Sequence, residues 1–141
     1  MSSILRTPDS RFQDLPDFDF QPNYLNINDS RFGSLRMHYV DEGPQEAPVV
    51  LCLHGEPSWS FCWRKLIHPL SEQGYRVVAP DHIGFGRSDK LPNREDYSYQ
   101  MMVQCCVQLI EKLDLRHITL VCQDWGGPIG LRSLGRMPER F

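Results

Sequence analysis

The sequence predicts an α/β protein in which a mostly parallel sheet is flanked by helices. Short apolar segments of strand length alternate along the chain with longer segments whose apolar residues recur every three or four positions. Continuous apolar runs are typical of strands buried on both faces, and the longer period is typical of helices that pack on a sheet. Their alternation favours parallel strands joined by helical crossovers.

The chain opens with a polar segment, residues 1–23, that is interrupted by three prolines. We expect this segment to form an N-terminal arm that lies over the surface of the domain. Two strands are predicted next, at residues 24–28 and 35–41. Residues 29–33 separate the two strands and have the composition of a turn.

The first fully apolar run, residues 49–53, predicts a buried strand. The segment that follows it predicts a helix with one apolar face, because four large side chains recur there at helical spacing. These side chains are Trp63, Leu66, Ile67 and Leu70. Gly74 is a natural end for this helix.

The remaining elements repeat the alternation of strand and helix. A short strand is predicted at residues 76–79, and a long apolar stripe predicts a helix over residues 99–113. The last strand is predicted at residues 117–123 and the last helix at residues 126–137. Pro128 is compatible with that helix because proline is tolerated in a first helical turn.

Composition argues against several classes of function. Hydrophobic residues make up 40% of the chain and charged residues 23%, as in ordinary globular proteins. The net charge is −3 and no basic stripe is present, which argues against nucleic acid or an anionic membrane as a partner. No apolar run approaches the roughly 18 residues of a membrane span.

The cysteines and the first residues indicate the compartment. The five cysteines are odd in number and follow no metal-ligand spacing, and residues 1–6 lack the apolar core of a secretion signal. We therefore expect buried, reduced thiols in a cytoplasmic protein, and no metal site.

The junction between the last strand and the last helix is the most informative motif. A sharp turn from strand to helix can present one side chain at the tip of a sheet, as the nucleophile elbow Gly-x-Ser-x-Gly does. The same positions here read Cys122-Gln123-Asp124-Trp125-Gly126. A carboxylate with an ordinary pKa of about 4 is ionised at neutral pH, so Asp124 could act as a nucleophile without a base. The alternative is that Asp124 only caps the helix.

A second motif follows the strand at residues 49–53. His54-Gly55-Glu56-Pro57 resembles the loop that supplies half of an oxyanion hole in folds with such an elbow. The backbone N–H of Glu56 would be one donor and that of Trp125, the residue after the candidate nucleophile, the other. The alternative is that Glu56 is only a solvated loop acid.

Three motifs, in their order and spacing, resemble the N-terminal half of an α/β-hydrolase, and most closely a haloalkane dehalogenase. They lie at residues 54–57, 81–89 and 123–127. The segments at residues 6–9 and 22–25 also resemble this family, so the resemblance covers nearly all of the chain. Glu56 is similar to the residue of the subtype that holds halide with two tryptophans.

The resemblance implies a role for each candidate residue. Asp124 would be the nucleophile, and the indole N–H of Trp125 would bind halide together with a second tryptophan from a cap domain. The side chain of Glu56 would support the hydrolytic water or a catalytic histidine. The alternative for Trp125 is an ordinary core position.

The resemblance also implies that the fold continues beyond this chain. The catalytic residues of the fold follow the order nucleophile, acid, histidine, yet all five histidines precede Asp124. We therefore expect residues 1–141 to form a partial core domain, truncated after the nucleophile helix, that lacks the cap domain and C-terminal half and is inactive alone.

The reaction implied is hydrolytic dehalogenation of haloalkanes to alcohol and halide through an aspartyl ester. The partners would be a small halogenated aliphatic substrate, halide and water, and no metal or organic cofactor would be needed. Two alternatives stay open: an epoxide hydrolase with the same elbow, and a non-catalytic interaction module. The segment at residues 84–89 superficially resembles a dinucleotide-binding loop but lacks the third glycine, which favours a structural loop.

Overall fold

The computed structural model describes residues 3–141 and shows five strands and three α-helices. The strands are β1 (Asn23–Asp29), β2 (Gly33–Glu42), β3 (Val49–Leu53), β4 (Arg76–Pro80) and β5 (Ile118–Cys122). The helices are α1 (Arg64–Glu72), α2 (Tyr99–Lys112) and α3 (Gly126–Arg136). Within residues 3–141, no helix is long and apolar enough to cross a lipid bilayer.

Every predicted strand and helix is present, with bounds close to those expected from the sequence. One difference concerns the helix predicted to include Trp63, because Ser60–Trp63 forms a 3-10 turn and α1 begins at Arg64. Gly74 follows α1 with φ +93°, a backbone conformation that glycine adopts without strain.

The five strands form one mixed sheet in the order β1-β2-β4-β3-β5. Strand β3 pairs in parallel with β4 and β5, so the expected parallel arrangement is confirmed in this part of the sheet. The pairings of β1 with β2 and of β2 with β4 are antiparallel. Only residues 30–32 connect β1 to β2, and a turn this short joins antiparallel strands only.

Strand β3 lies at the centre of the core, with all five of its residues buried. Val49, Leu51 and Leu53 pack in the cluster that contains α2 and α3. Val50 and Cys52 pack in the cluster on the other face, which contains α1. Burial on both faces explains why this strand is continuously apolar instead of alternating.

The N-terminal arm packs more closely than expected for a surface segment. Arg6 donates two hydrogen bonds, of 2.7 and 3.1 Å, to the carboxylate of Asp89. The rings of Phe18 and Phe20 are buried in the cluster that contains α1. The first two residues of the predicted arm, 1–23, lie outside the described residues.

The prediction of buried thiols is correct for Cys52, Cys105 and Cys106 and wrong for Cys62 and Cys122, which are exposed. Cys122 is exposed because it ends β5, which within residues 3–141 has a neighbouring strand on one side only. Burial raises the pKa of Cys52 and of Cys105 to about 12 and that of Cys106 to about 11, so these three thiols stay protonated.

Candidate active site

The two sequence motifs meet at one edge of the sheet. Strands β3 and β5 are adjacent and parallel, and their last residues, Leu53 and Cys122, are paired. The loops that follow them therefore emerge side by side, which brings the segment starting at His54 next to Asp124. Ligands of α/β proteins generally bind beyond this carboxyl edge of the strands.

The backbone turns sharply at Asp124, where φ is +51°. Aspartate enters this left-handed region more readily than most residues. The N–H of Gly126 donates to the carbonyl of Gln123, and the N–H of Gly127 donates to the carbonyl of Asp124, each at 2.9 Å. The turn directs the chain from β5 into α3 and leaves the Asp124 side chain exposed at its tip.

The Asp124 carboxylate makes its contact across the sheet edge. The backbone N–H of Glu56 donates to Oδ2 of Asp124 at 3.0 Å. The N-cap position of α3 is held by Trp125, without a side-chain cap hydrogen bond. The geometry therefore does not support the alternative in which Asp124 only caps the helix.

Backbone donors also set the charge of the carboxylate. Hydrogen bonds from the N–H of Glu56, and then from that of Trp125, hold the pKa of Asp124 below its ordinary value. The group is thus ionised at neutral pH, and one of its oxygens is fixed by Glu56. The N–H of Glu56 contacts the candidate nucleophile directly, whereas that of Trp125 is seen only through its effect on the pKa of Asp124. The roles of these residues stay predictions.

Two glycines permit the close approach of the loops. A Cβ added to Gly55 would lie 2.4 Å from Cβ of Asp124, and one added to Gly126 would lie 2.2 Å from the carbonyl oxygen of Leu53. Both distances are far below van der Waals contact. Any larger residue at either position would push the two loops apart.

Trp125 is not an ordinary core residue, since 52% of its surface is exposed. It lines an open cavity of about 600 Å³, the size of a small-molecule site. Glu56 and His82 also line this cavity. Its other walls are largely apolar and aromatic and include Phe85, Tyr97, Tyr99, Met102 and Ile129.

The segment at residues 84–89 is a structural loop, as the sequence favours. It wraps the fully buried carboxylate of Asp81, which accepts hydrogen bonds from His38 Nδ1 at 2.8 Å and from the N–H groups of Ser60 and Arg87 at 2.7 and 2.9 Å. Burial raises the pKa of Asp81, but these hydrogen bonds outweigh it and the net shift is downward. A Cβ on Gly86 would lie 2.3 Å from this carboxylate.

Sequence reasoning missed His82. His54 supports the turn that follows β3, because its Nδ1 lies 2.8 Å from the carbonyl of Gly55. His82 contacts His54 through both its backbone and its ring. An isolated histidine after a strand carries no spacing signal, and only the pairing of β3 with β4 brings the two residues together.

No group of three or more histidine, cysteine, aspartate or glutamate side chains is placed to hold a metal ion in the described part of the chain.

The chain is similar in sequence to a known fold family and to known enzymes. The alpha/beta hydrolase fold family matches residues 48–141. A haloalkane dehalogenase of Psychrobacter cryohalolentis is 56% identical over 138 residues, which cover 98% of this chain and 46% of that protein. The chain therefore spans about half the length of the curated relatives it matches.

Many solved structures are similar to this fold, among them a haloalkane dehalogenase and an epoxide hydrolase. The tetrameric haloalkane dehalogenase of Paraglaciecola agarilytica has a TM-score of 0.93 and 49% identity, over 99% of this chain and 46% of that one. An epoxide hydrolase of Vigna radiata has a TM-score of 0.76 and 33% identity, over 87% of this chain and 36% of that one.

Proposed function

Because the chain belongs to the α/β-hydrolase fold family, we propose that its site takes part in the hydrolytic dehalogenation of haloalkanes. The observation that carries the proposal is an ionised carboxylate at the strand-to-helix turn, with one oxygen held by the N–H of Glu56 at 3.0 Å. The high identity to two haloalkane dehalogenases over nearly the whole chain supports it.

The first step is an in-line displacement at a saturated carbon. The free oxygen of Asp124 attacks the carbon that bears the halogen, a C–O bond forms, and halide leaves with the electron pair of the C–X bond. The indole N–H of Trp125 donates a hydrogen bond to the departing anion. The product is an alkyl ester on Asp124.

The second step hydrolyses this ester. A histidine outside residues 1–141 takes a proton from water, and the resulting hydroxide adds to Cγ of Asp124. The N–H groups of Glu56 and Trp125 stabilise the oxyanion that forms, and one such donor is typically worth about 10²–10³ in rate. Collapse of this intermediate breaks the bond between Cγ and the alkyl oxygen, and the leaving oxygen takes the proton from the histidine to give the alcohol. The side chain of Glu56 supports the water or the histidine.

Epoxide hydrolysis is the second candidate, because an aspartate at the same elbow can open an epoxide and the Vigna radiata enzyme shares the fold. That reaction needs a proton donor for the epoxide oxygen. The two tyrosines of the cavity are already engaged with backbone groups. The Tyr97 hydroxyl accepts from the N–H of Leu91 at 2.7 Å and donates to the carbonyl of Leu91 at 3.5 Å. The Tyr99 hydroxyl donates to the carbonyl of Pro128 at 2.9 Å.

The test uses a hybrid protein in which residues 1–141 replace the matched 46% of the Psychrobacter relative. We expect the hybrid to release halide from 1-bromobutane and 1,2-dibromoethane. Asp124→Ala should abolish release, whereas Asp19→Ala, which removes an exposed carboxylate that hydrogen-bonds His68, should retain it. The unmodified Psychrobacter relative is the positive control.

Trapping the ester identifies the nucleophile. A hybrid without its catalytic histidine should accumulate an alkyl group on a peptide that contains Asp124, because alkylation needs no base and hydrolysis does. Labelling at Glu56, or turnover of epoxides without haloalkane turnover, would reject the dehalogenase assignment. Failure of a folded hybrid to form any adduct would favour a non-catalytic interaction module.

A further inference from the structure

His54 and His82 hold each other by two hydrogen bonds between the ends of β3 and β4. The backbone N–H of His82 lies 3.0 Å from Nε2 of His54. Nε2 of the His82 ring lies 3.0 Å from the carbonyl oxygen of His54. Both side chains are buried, and their ring centroids are 4.3 Å apart. These two contacts connect neighbouring strands just where they enter the site.

The partners fix the protonation of each ring. A backbone N–H can only donate, so Nε2 of His54 must accept and carries no proton. A carbonyl can only accept, so Nδ1 of His54 donates to Gly55 at 2.8 Å. By the same reasoning, Nε2 of His82 donates to the carbonyl of His54. Burial lowers the pKa of His54 and lowers that of His82 to about 3, which keeps both rings neutral at pH 7.

The hydrogen bond to Gly55 reaches the reactive carboxylate through one peptide unit. The carbonyl of Gly55 and the N–H of Glu56 belong to the same planar group, and in a trans peptide they point in opposite directions. His54 holds the carbonyl end, and the N–H end donates to Oδ2 of Asp124. Rotation of this unit is therefore restrained from the side opposite the carboxylate.

We propose that His82 is a positioning residue that acts through His54 to aim the N–H of Glu56 at the carboxylate of Asp124. This role rests on the proposed function, because it concerns the donor that stabilises the oxyanion during ester hydrolysis. Phe85, which also lines the cavity, packs against His54, with the two ring centroids 5.3 Å apart.

The rates of the two chemical steps distinguish a positioning role of His82 from a general effect on stability. Alkylation moves negative charge from the carboxylate to the halide, whereas hydrolysis creates an oxyanion that needs the Glu56 donor. His82→Phe removes the ring donor and keeps a ring of similar size. We expect it to slow ester hydrolysis of the hybrid about tenfold or more and to change the alkylation burst by less than about threefold.

His82→Gln is the matched variant, because the amide nitrogen of glutamine can replace Nε2 as a donor to the carbonyl of His54. It should restore hydrolysis and remove the excess of alkylated Asp124 seen by mass spectrometry in His82→Phe. Equal losses in burst and steady-state rate, or no difference between the two variants, would overturn the positioning role.

A measurement on the unsubstituted hybrid tests the geometry without activity. Nitrogen-15 NMR of labelled histidines should show the Nδ1–H form for His54 and the Nε2–H form for His82. Hydrogen exchange at the Glu56 amide should be faster in His82→Phe than in His82→Gln. Another tautomer, or equal exchange, would overturn the inference, whereas normal tautomers without an alkyl ester would reject only the proposed function.

Discussion

At the scale of single residues, the site depends on an aspartate in a backbone conformation that few side chains adopt. Asp124 has φ +51°, and this geometry lifts its carboxylate off β5 toward the N–H of Glu56. Strain of this kind persists where the surroundings impose it and is frequent at functional sites. Here the backbone of Gly55 lies so close to Asp124 that a Cβ on the glycine would come within 2.4 Å of Cβ of Asp124.

The indole N–H of Trp125 should donate a hydrogen bond to the halide that leaves. Trp125→Phe keeps an aromatic ring and deletes the indole N–H, so the hybrid should bind bromide less tightly and cleave the carbon–halogen bond more slowly. A lost hydrogen bond to a charged group costs about 1.5–3 kcal/mol, which corresponds to roughly ten- to a hundred-fold. Quenching of fluorescence by bromide and single-turnover kinetics measure the two effects.

The matched control is Trp59→Phe, because Trp59 stacks on Phe61 in the cluster that contains α1. It should leave bromide affinity unchanged. Unchanged affinity in Trp125→Phe, together with turnover of epoxides, would favour the second candidate function.

Halide release should depend on the distance between the two loops as strongly as on the chemical groups that they carry. Gly55→Ala would place Cβ 2.4 Å from Cβ of Asp124 and so displace the carboxylate. A displacement of about 1 Å can cost about 10² in rate, and we expect a loss of that order in halide release. Gly127→Ala is the control, because a Cβ there meets nothing within 4 Å and should leave the rate unchanged. Comparable losses in both variants would argue against a specific clash.

Single residues also show how far sequence reasoning extends into the site. Asp124 and Glu56 were predictable because each occupies a fixed offset from a buried strand. The contact between His54 and His82 was not, because it depends on how β3 and β4 lie side by side. Residues on adjacent strands are distant in sequence, so the periodicity of apolar residues does not predict which of them are in contact.

At the scale of elements, the sequence predicted the strands and helices, several of them from apolar runs, but the order and direction of the strands in the sheet were known only from the structure. The continuous run in β3 indicated a strand covered on both faces, which is confirmed. The antiparallel pairing of β2 with β4 has no local signal, because strand direction is set by connections and not by composition. The sheet is therefore parallel at β4, β3 and β5, where the candidate site lies, and antiparallel at β1 and β2.

Strand β5 should make the 141-residue chain associate. It pairs with β3 on one side, and in the described part of the chain no strand covers its other edge. Exposed edges promote pairing between chains, and a lysine on such an edge discourages it. We expect the apparent mass of the chain to rise with concentration in sedimentation experiments, and Thr119→Lys, at an exposed position of β5, to reduce the rise. A monomer at all concentrations would contradict this expectation.

At the scale of the whole molecule, the site and the stability of the fold depend on the same buried polar groups. Asp81, His54 and His82 lie at or just beyond the ends of β3 and β4, and all three are buried. Their hydrogen bonds are made mostly with backbone groups of the loops around the candidate site, and Asp81 also accepts one from the side chain of His38. Removing a proton acceptor here would therefore loosen the fold and the site together.

Acid should destabilise the protein through His82. Its pKa is lowered from 6.5 to about 3 by burial and by His54, so between these values the unfolded chain binds a proton that the folded chain does not. Stability contributed by this histidine is thus complete above pH 6.5 and is lost as the pH falls toward 3. The loss is at most about 1.4 kcal/mol per pH unit. The lowered pKa values of Asp81 and Asp89 act in the same direction but only below about pH 4.

Urea unfolding of the hybrid near pH 7 and near pH 5 measures this contribution. The free energy of unfolding should fall less between the two values in His82→Phe than in the unsubstituted hybrid, by up to about 2 kcal/mol. The carboxylates are common to both proteins, so their effects cancel in the comparison. His117→Asn is the control, because His117 is exposed and has φ +51°, a conformation that asparagine tolerates. If His82→Phe and His117→Asn show the same pH dependence, His82 is not the buried neutral group that the geometry requires.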